Sequence, residues 1–134
     1  MQISRKDDKR LVNALLASFE DQDSQVRCAV AEGLGKHSEM AAGPVIEALH
    51  AHLKDPASPV RCSVVQALYR CSENGVGEVI ECLGRRRCIR QVALDVIGSG
   101  VVRPDERLAS AVRLCLFDRR GVTRAKALSA FTRL

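Results

Sequence analysis

LLASFEDQDSQVRCAVAEGLGKHSE, which begins at Leu15, superimposes on LHAHLKDPASPVRCSVVQALYRCSE, which begins at Leu49. The offset between the two stretches is 34 residues. The aligned positions are Leu15 with Leu49, Phe19 with Leu53, Asp21 with Asp55, Val26-Arg27-Cys28 with Val60-Arg61-Cys62, and Leu34 with Leu68. A fixed period of about 20 to 50 residues is typical of stacked repeat units. The period therefore indicates a repeat protein.

Two further copies follow. The third opens with Val79-Ile80-Glu81, which repeats Val45-Ile46-Glu47, but it lacks five residues before Ile89-Arg90 takes the place of Val-Arg. The fourth lies at an offset of 97 from the first, with Leu108 over Leu11, Ala111 over Ala14, Asp118 over Asp21 and Arg124 over Arg27. We therefore expect four units, of which the third is shortened around its turn.

Each unit contains two amphipathic helices. Apolar residues recur at helical spacing, as in Leu11, Leu15 and Phe19. Strict alternation is absent, which argues against strands. Glycine or proline separates successive units, at Gly43-Pro44, Asn74-Gly75 and Arg103-Pro104. The sequence thus predicts an all-α fold with eight helices in four antiparallel hairpins, and it predicts burial of Val26, Leu34, Val60 and Leu68.

The four units should form a single domain over residues 1–134, with copies at about 10–38, 44–72, 77–99 and 104–134. One hairpin buries little alone, so neighbouring hairpins must create the core. The last helix ends at Phe131-Leu134 without a polar capping copy. Two interpretations follow: the chain is a piece of a longer solenoid, or it self-associates through uncapped ends.

The pattern resembles the HEAT repeat, in which an aspartate ends the first helix and Val-Arg opens the second. Asp21, Asp55 and Asp118 match that aspartate, and Arg27, Arg61, Arg90 and Arg124 match the arginine. The resemblance implies a right-handed α-solenoid. The short repeats are also similar to those of the subgroup related to phycobilin lyases. The third copy departs from the pattern because it lacks the aspartate.

The repeated aspartate lies six residues before its arginine. We interpret it as a structural residue that caps the second helix and pairs with the arginine of its own copy. On this interpretation Arg90 lacks a restraining carboxylate. A second set of matched positions is expected on the inner face and mixes acidic with neutral polar residues: Glu32, Gln66, Asp95 and Ser129.

Six cysteines are scattered without a CxxC pair or a close histidine pair, so we expect free thiols, no zinc and no cofactor. Disulfides are the alternative. No apolar run reaches the roughly 18 residues of a membrane span, and residues 1–10 do not resemble a signal peptide. We therefore expect an intracellular protein, cytoplasmic or nuclear, that does not bind membranes.

Arginines gather where the third copy is shortened, and the equivalent turn of the fourth copy adds two more. We name this set the arginine ridge, which comprises Arg85, Arg86, Arg87, Arg90, Arg119 and Arg120. Equivalent turns of stacked hairpins lie side by side, and guanidinium groups suit carboxylates and phosphates. The ridge is either a partner-binding contact or a solvated basic turn.

No catalytic signature accompanies the repeats. We therefore expect a non-enzymatic protein–protein interaction scaffold whose partner carries an acidic segment. A module that binds the backbone of duplex nucleic acid is the alternative, favoured by a net charge of +5. Only three phenylalanines, one tyrosine and no tryptophan are available for base stacking. A lyase or a DNA glycosylase of HEAT-like fold is a lesser alternative.

Overall fold

The computed structural model describes residues 5–37 and 43–134, with side chains from residue 9 onward. The described residues form eight α-helices, and α3 continues into a 3-10 turn at His52–Lys54. The helices are α1 (Arg5–Ser18), α2 (Ser24–Lys36), α3 (Gly43–Ala51), α4 (Ser58–Cys71), α5 (Gly75–Leu83), α6 (Arg87–Gly98), α7 (Glu106–Cys115) and α8 (Gly121–Phe131). The predicted all-α fold is confirmed. The predicted end of the first copy, near residue 38, lies outside the described residues.

Consecutive helices pair into four hairpins, α1–α2, α3–α4, α5–α6 and α7–α8. The hairpins stack mainly through their second helices, because α2 packs on α4, α4 on α6, and α6 on α8. Each short turn reverses the chain direction. The second helices therefore run side by side with their N-terminal ends along one edge, as expected for an α-solenoid.

Side-chain caps begin some of these helices and not others. Asp23 accepts a hydrogen bond from the Gln25 amide at the start of α2, and Asp105 caps α7 in the same way. Asn74 caps α5 through the Gly77 amide. In contrast, α4, α6 and α8 begin without a side-chain cap. The first-turn N–H groups of these three helices are therefore left without a side-chain acceptor.

The core is continuous along the stack and consists of aliphatic residues from every hairpin. Leu34, Val60 and Leu68 are buried, as predicted. Val26 is only half-buried, so its predicted burial is wrong in degree. Among the described residues, the first hairpin has a neighbouring hairpin on one side, whereas the helix of Val60 packs against α2 and α6.

The third hairpin is the shortest, as predicted. The first helix of the second hairpin extends through its 3-10 turn to Lys54, but α5 ends at Leu83 and α6 begins at Arg87. The fourth hairpin is also shorter than the first two, and α7 has 10 residues where α5 has 9. None of the helices in the described ranges is long and apolar enough to cross a membrane.

Candidate functional site

A row of arginine–aspartate contacts links successive hairpins at the edge where their turns meet. Arg27 donates from Nε to Asp55 Oδ2 at 2.8 Å and from Nη2 to Asp55 Oδ1 at 3.1 Å. Its Nη1 donates to the carbonyl oxygens of Asp21 and Gln22 in its own turn. One guanidinium thus ties the first turn to the carboxylate of the second.

The electrostatics of Asp55 fit this arrangement. Its side chain is buried and also accepts the amide hydrogen of Ala57 at 2.9 Å. Burial alone opposes ionisation, but the Arg27 guanidinium and the Ala57 amide outweigh it and hold the pKa of Asp55 below the ordinary value of 3.8. The carboxylate is therefore charged at neutral pH.

The same contact recurs between the third and fourth hairpins. Arg90 Nη1 donates to Asp118 Oδ2 at 2.7 Å, and its other donors reach the carbonyl oxygens of Leu83 and Arg85. The Arg120 amide and the Arg90 guanidinium lower the pKa of Asp118. The expectation that Arg90 lacks a restraining aspartate is therefore wrong, because the restraint comes from the next copy.

From the sequence we had expected each repeated aspartate to pair with the arginine of its own copy. That expectation is also wrong. Each accepts an amide hydrogen two residues later, as Asp21 does from Asp23 at 2.8 Å. This contact shapes the turn. The carboxylates of Asp55 and Asp118 then accept from the preceding copy, so these residues join hairpins rather than cap helices.

The row is broken at Arg61. Gly84 stands where the third copy should carry the aspartate. Arg61 donates from Nη1 to its own turn, at Asp55 O and 2.6 Å, while its Nε is buried without a hydrogen-bond partner. Arg61 therefore keeps a positive charge that no carboxylate in the described part of the chain neutralises.

The arginine ridge lies along this edge. Arg85 is half-buried and lies 3.6 Å from Glu81, whereas Arg86 and Arg87 are exposed at the start of α6. Arg119 and Arg120 are exposed in the turn before α8. Of these residues, Arg90, Arg119 and Arg120 share the wall of one hollow, and Arg87 and Arg120 share another. The fold thus brings Arg87, Arg90, Arg119 and Arg120 into shared hollows, whereas neither hollow includes Arg85 or Arg86.

An apolar notch adjoins the ridge at Arg90, Arg119 and Arg120. It consists of two adjoining hollows of about 410 and 420 Å³, which share Arg90, Leu114 and Asp118. Ile80, Leu83 and Phe117 complete its apolar walls. Leu114 and Phe117 are 74 % and 82 % exposed, which is unusual for large apolar side chains.

The exposure follows from the position of both residues in the repeat. Leu114 lies in the last turn of α7 and Phe117 lies just after that helix. The equivalent positions of the first and second copies are exposed as well. We did not identify either residue from the sequence, although a signal was present. They align with Ala17 and Glu20 of the first copy and with Ala51 and Lys54 of the second, which are small or charged. Large apolar residues at positions that the repeat leaves exposed indicate a role outside the core.

A basic groove adjoins the ridge, with which it shares Arg87 and Arg120, at the N-terminal ends of α4, α6 and α8. Its volume is about 560 Å³. Arg61, Arg87, Arg120 and Lys126 line it together with Ser58, Cys88, Gln91 and Asp95. Lys126 forms an ion pair with Asp95 at 2.8 Å. Because Lys126 neutralises the one carboxylate in the lining, the positive charges of the three arginines are left over.

The expected inner-face positions lie on the second helices of the four hairpins. Glu32, Asp95 and Ser129 are exposed, and Gln66 is half-buried. The Asp95 carboxylate is held by Lys126. The six cysteines are free thiols, of which Cys82 and Cys115 are buried and Cys88 is exposed. In the two described ranges, no three His, Cys, Asp or Glu side chains gather as metal ligands would.

Comparison with known proteins addresses the fold and the family. The family of HEAT repeats matches residues 9–83. The crystal structure of an engineered protein determined by the Northeast Structural Genomics Consortium is similar, with a TM-score of 0.52 and 15 % identity. That match covers 91 % of this chain and 61 % of the engineered protein. A search of curated proteins finds no significant relative. Neither match supports the finer resemblance to the phycobilin lyase-type subgroup.

Proposed function

Because this chain belongs to the HEAT-repeat family, we propose that it is a protein-binding scaffold module that holds an acidic, partly apolar segment of its partner across the arginine ridge and the apolar notch. HEAT repeats generally mediate protein–protein interactions. The observation that carries the proposal is the exposure of Leu114 and Phe117 beside Arg119 and Arg120.

The apolar notch and the arginine ridge make different contributions to binding. Burial of a phenylalanine and a leucine side chain contributes favourable binding free energy, part of which offsets the freedom that the partners lose on association. Arginine is enriched in protein interfaces because its planar donors match carboxylates. A segment with an apolar anchor for the notch and carboxylates for the ridge satisfies both surfaces together.

The notch also favours a protein partner over a nucleic acid. A duplex backbone offers phosphates to arginines but no apolar group for Leu114 and Phe117. The salt dependence of binding distinguishes these partners, because phosphate contacts release counterions and lose affinity steeply as salt rises. An apolar contact is far less sensitive.

A random-peptide display selection against the whole chain tests the proposal. We expect the enriched peptides to combine acidic with large apolar residues, and we expect fluorescence anisotropy to show that Phe117→Ser and the double reversal Arg86→Glu/Arg119→Glu each weaken their binding by at least about tenfold. The matched control is Arg103→Glu/Arg133→Glu, which makes the same charge change at exposed positions outside the ridge. It should bind as the unaltered chain does.

Either of two results overturns the proposal. One is that the selected peptides bind Phe117→Ser and the ridge reversal as tightly as they bind the unaltered chain. The other is preferential binding of a fluorescein-labelled DNA duplex, with a steep salt slope that the ridge reversal reduces. Circular dichroism of each variant verifies that the helices are intact.

A further inference from the structure

The basic groove between α4, α6 and α8 has a charge that the fold does not neutralise. Arg27 and Arg90 each have a carboxylate from the following hairpin, but Gly84 deprives Arg61 of one. Arg87 and Arg120 have no ion-pair partner among the described residues. Three arginines thus line one cavity, whose one lining carboxylate, Asp95, is held by Lys126.

From this arrangement we propose that the groove binds a phosphate group, carried by a phosphorylated side chain of a partner protein. A phosphate monoester brings nearly two negative charges and three acceptor oxygens, which suits several guanidinium forks at once. The phosphate supplies the counter-charge that the missing aspartate provides in the other copies. The cavity, at about 560 Å³, has room for the phosphate and the residues around it.

The backbone supports the same chemistry. The three helices that open into the groove are those that begin without a side-chain cap, at Ala57, Arg86 and Arg120. Pro59 has no N–H, and the Val60 and Ile89 amides donate to N-cap carbonyls. The first amides of the helices, such as those of Ser58, Cys88 and Gly121, remain, and the positive ends of the helix dipoles lie at the groove. The side chains and the helix ends therefore favour an anion at one place. This inference rests on the groove and stands independently of the apolar notch.

The test uses the full chain and three probes: inorganic phosphate, a phosphoserine peptide and its unphosphorylated form. Isothermal titration measures affinity, and amide NMR shifts at Ser58, Cys88 and Gly121 report the location. We expect phosphate and the phosphopeptide to shift these amides, with the phosphopeptide tighter. The unphosphorylated peptide should bind at least about tenfold more weakly than the phosphopeptide.

Two variants address the groove itself. Arg87→Ala should weaken phosphate binding by about tenfold, whereas Arg103→Ala, an exposed arginine outside the groove, should not. Gly84→Asp supplies Arg61 with the missing carboxylate and should weaken phosphate binding too. Its matched control is Gly84→Asn, which has the same shape without the charge and should have a smaller effect.

Three outcomes overturn the inference: amide shifts at other places, unchanged phosphate affinity in both Arg87→Ala and Gly84→Asp, or tighter binding of a DNA duplex than of the phosphopeptide. If inorganic phosphate binds as tightly as the phosphopeptide, the source of the phosphate is a free ion and the assignment to a phosphorylated partner is wrong. None of these measurements depends on a peptide that occupies the notch.

Discussion

Arg27 in the first hairpin donates two hydrogen bonds to the carboxylate of Asp55 in the second, at 2.8 and 3.1 Å, while its remaining donor holds the turn of its own hairpin. One side chain thereby fixes the spacing of two hairpins. Arg90 and Asp118 repeat the relationship in the second half of the chain. Polar contacts at the turn edge thus supplement the apolar core that holds the stack together.

Replacement of Asp55 by alanine should destabilise the chain by about 1 to 3 kcal/mol, because it leaves a guanidinium donor and the Ala57 amide without their acceptor. Urea denaturation monitored by circular dichroism measures the change. A double-mutant cycle with Arg27→Ala separates the energy of the Arg27–Asp55 interaction from that of the Ala57 amide contact in the turn. If the two single effects add fully, Arg27 and Asp55 are not coupled and the contact contributes nothing specific.

The lowered pKa of Asp55 also predicts how stability depends on pH. A carboxyl group whose pKa is lower in the folded state contributes its full stability above its unfolded value, here 3.8, and loses it as the pH falls through the folded value. The free energy of unfolding should therefore decline below about pH 4. Asp55→Asn, which cannot titrate, should show a smaller decline. An equal decline in both proteins would assign the acid sensitivity to other carboxylates.

The sequence predicted the fold well because the apolar periodicity that defines each helix is local. Leu34, Val60 and Leu68 were identified as core residues on that basis, and they are buried. The pairing of charges was not predictable in the same way. Either Asp21 or Asp55 could accept a hydrogen bond from Arg27. The repeat pattern does not distinguish an acceptor six residues away from one 28 residues away.

The apolar notch escaped sequence analysis for a different physical reason. Leu114 and Phe117 are large and apolar and therefore look like core residues in the sequence, but their positions are exposed in the first and second copies as well. Their exposure could be recognised only once it was known which face of each first helix is buried. Arg61 and the groove were missed because no unusual residue marks them, only the glycine that replaces an aspartate.

A pair of leucine substitutions distinguishes the core from the notch. Leu68→Ala removes a fully buried side chain and should cost about 2 to 5 kcal/mol of unfolding free energy. Leu114→Ala removes the same atoms from an exposed site and should cost less than about 0.5 kcal/mol. Thermal or chemical denaturation of both variants measures the difference. Similar costs at the two positions would mean that Leu114 packs against the stack.

The cysteines should differ widely in reactivity. Burial raises the pKa of the Cys82 thiol to about 11, so very little of the reactive thiolate forms at neutral pH. Cys88 is exposed at the start of α6. Under native conditions we expect iodoacetamide to label Cys88 first and Cys82 among the last, with mass spectrometry to locate the label. In denaturant all six should react alike, and early labelling of Cys82 in the folded chain would contradict its burial.

The broken row at Arg61 yields a prediction about stability that needs no ligand. Gly84 has φ −85° and ψ −4°, a conformation open to any residue, and a Cβ placed there meets only Glu81 O, at an ordinary 3.5 Å. Gly84→Asp should therefore fit, and by analogy with Asp55 and Asp118 its carboxylate should reach the arginine of the preceding copy. We expect a gain of about 1 kcal/mol or more, from the new ion pair and from the loss of glycine's freedom in the unfolded chain. Gly84→Asn should gain only the stability that comes from the loss of glycine's freedom. In an Arg61→Gln background, Gly84→Asp should not gain the stability of the ion pair. Equal melting temperatures for Gly84→Asp and Gly84→Asn would show that the third turn, shortened as it is, does not bring residue 84 to Arg61.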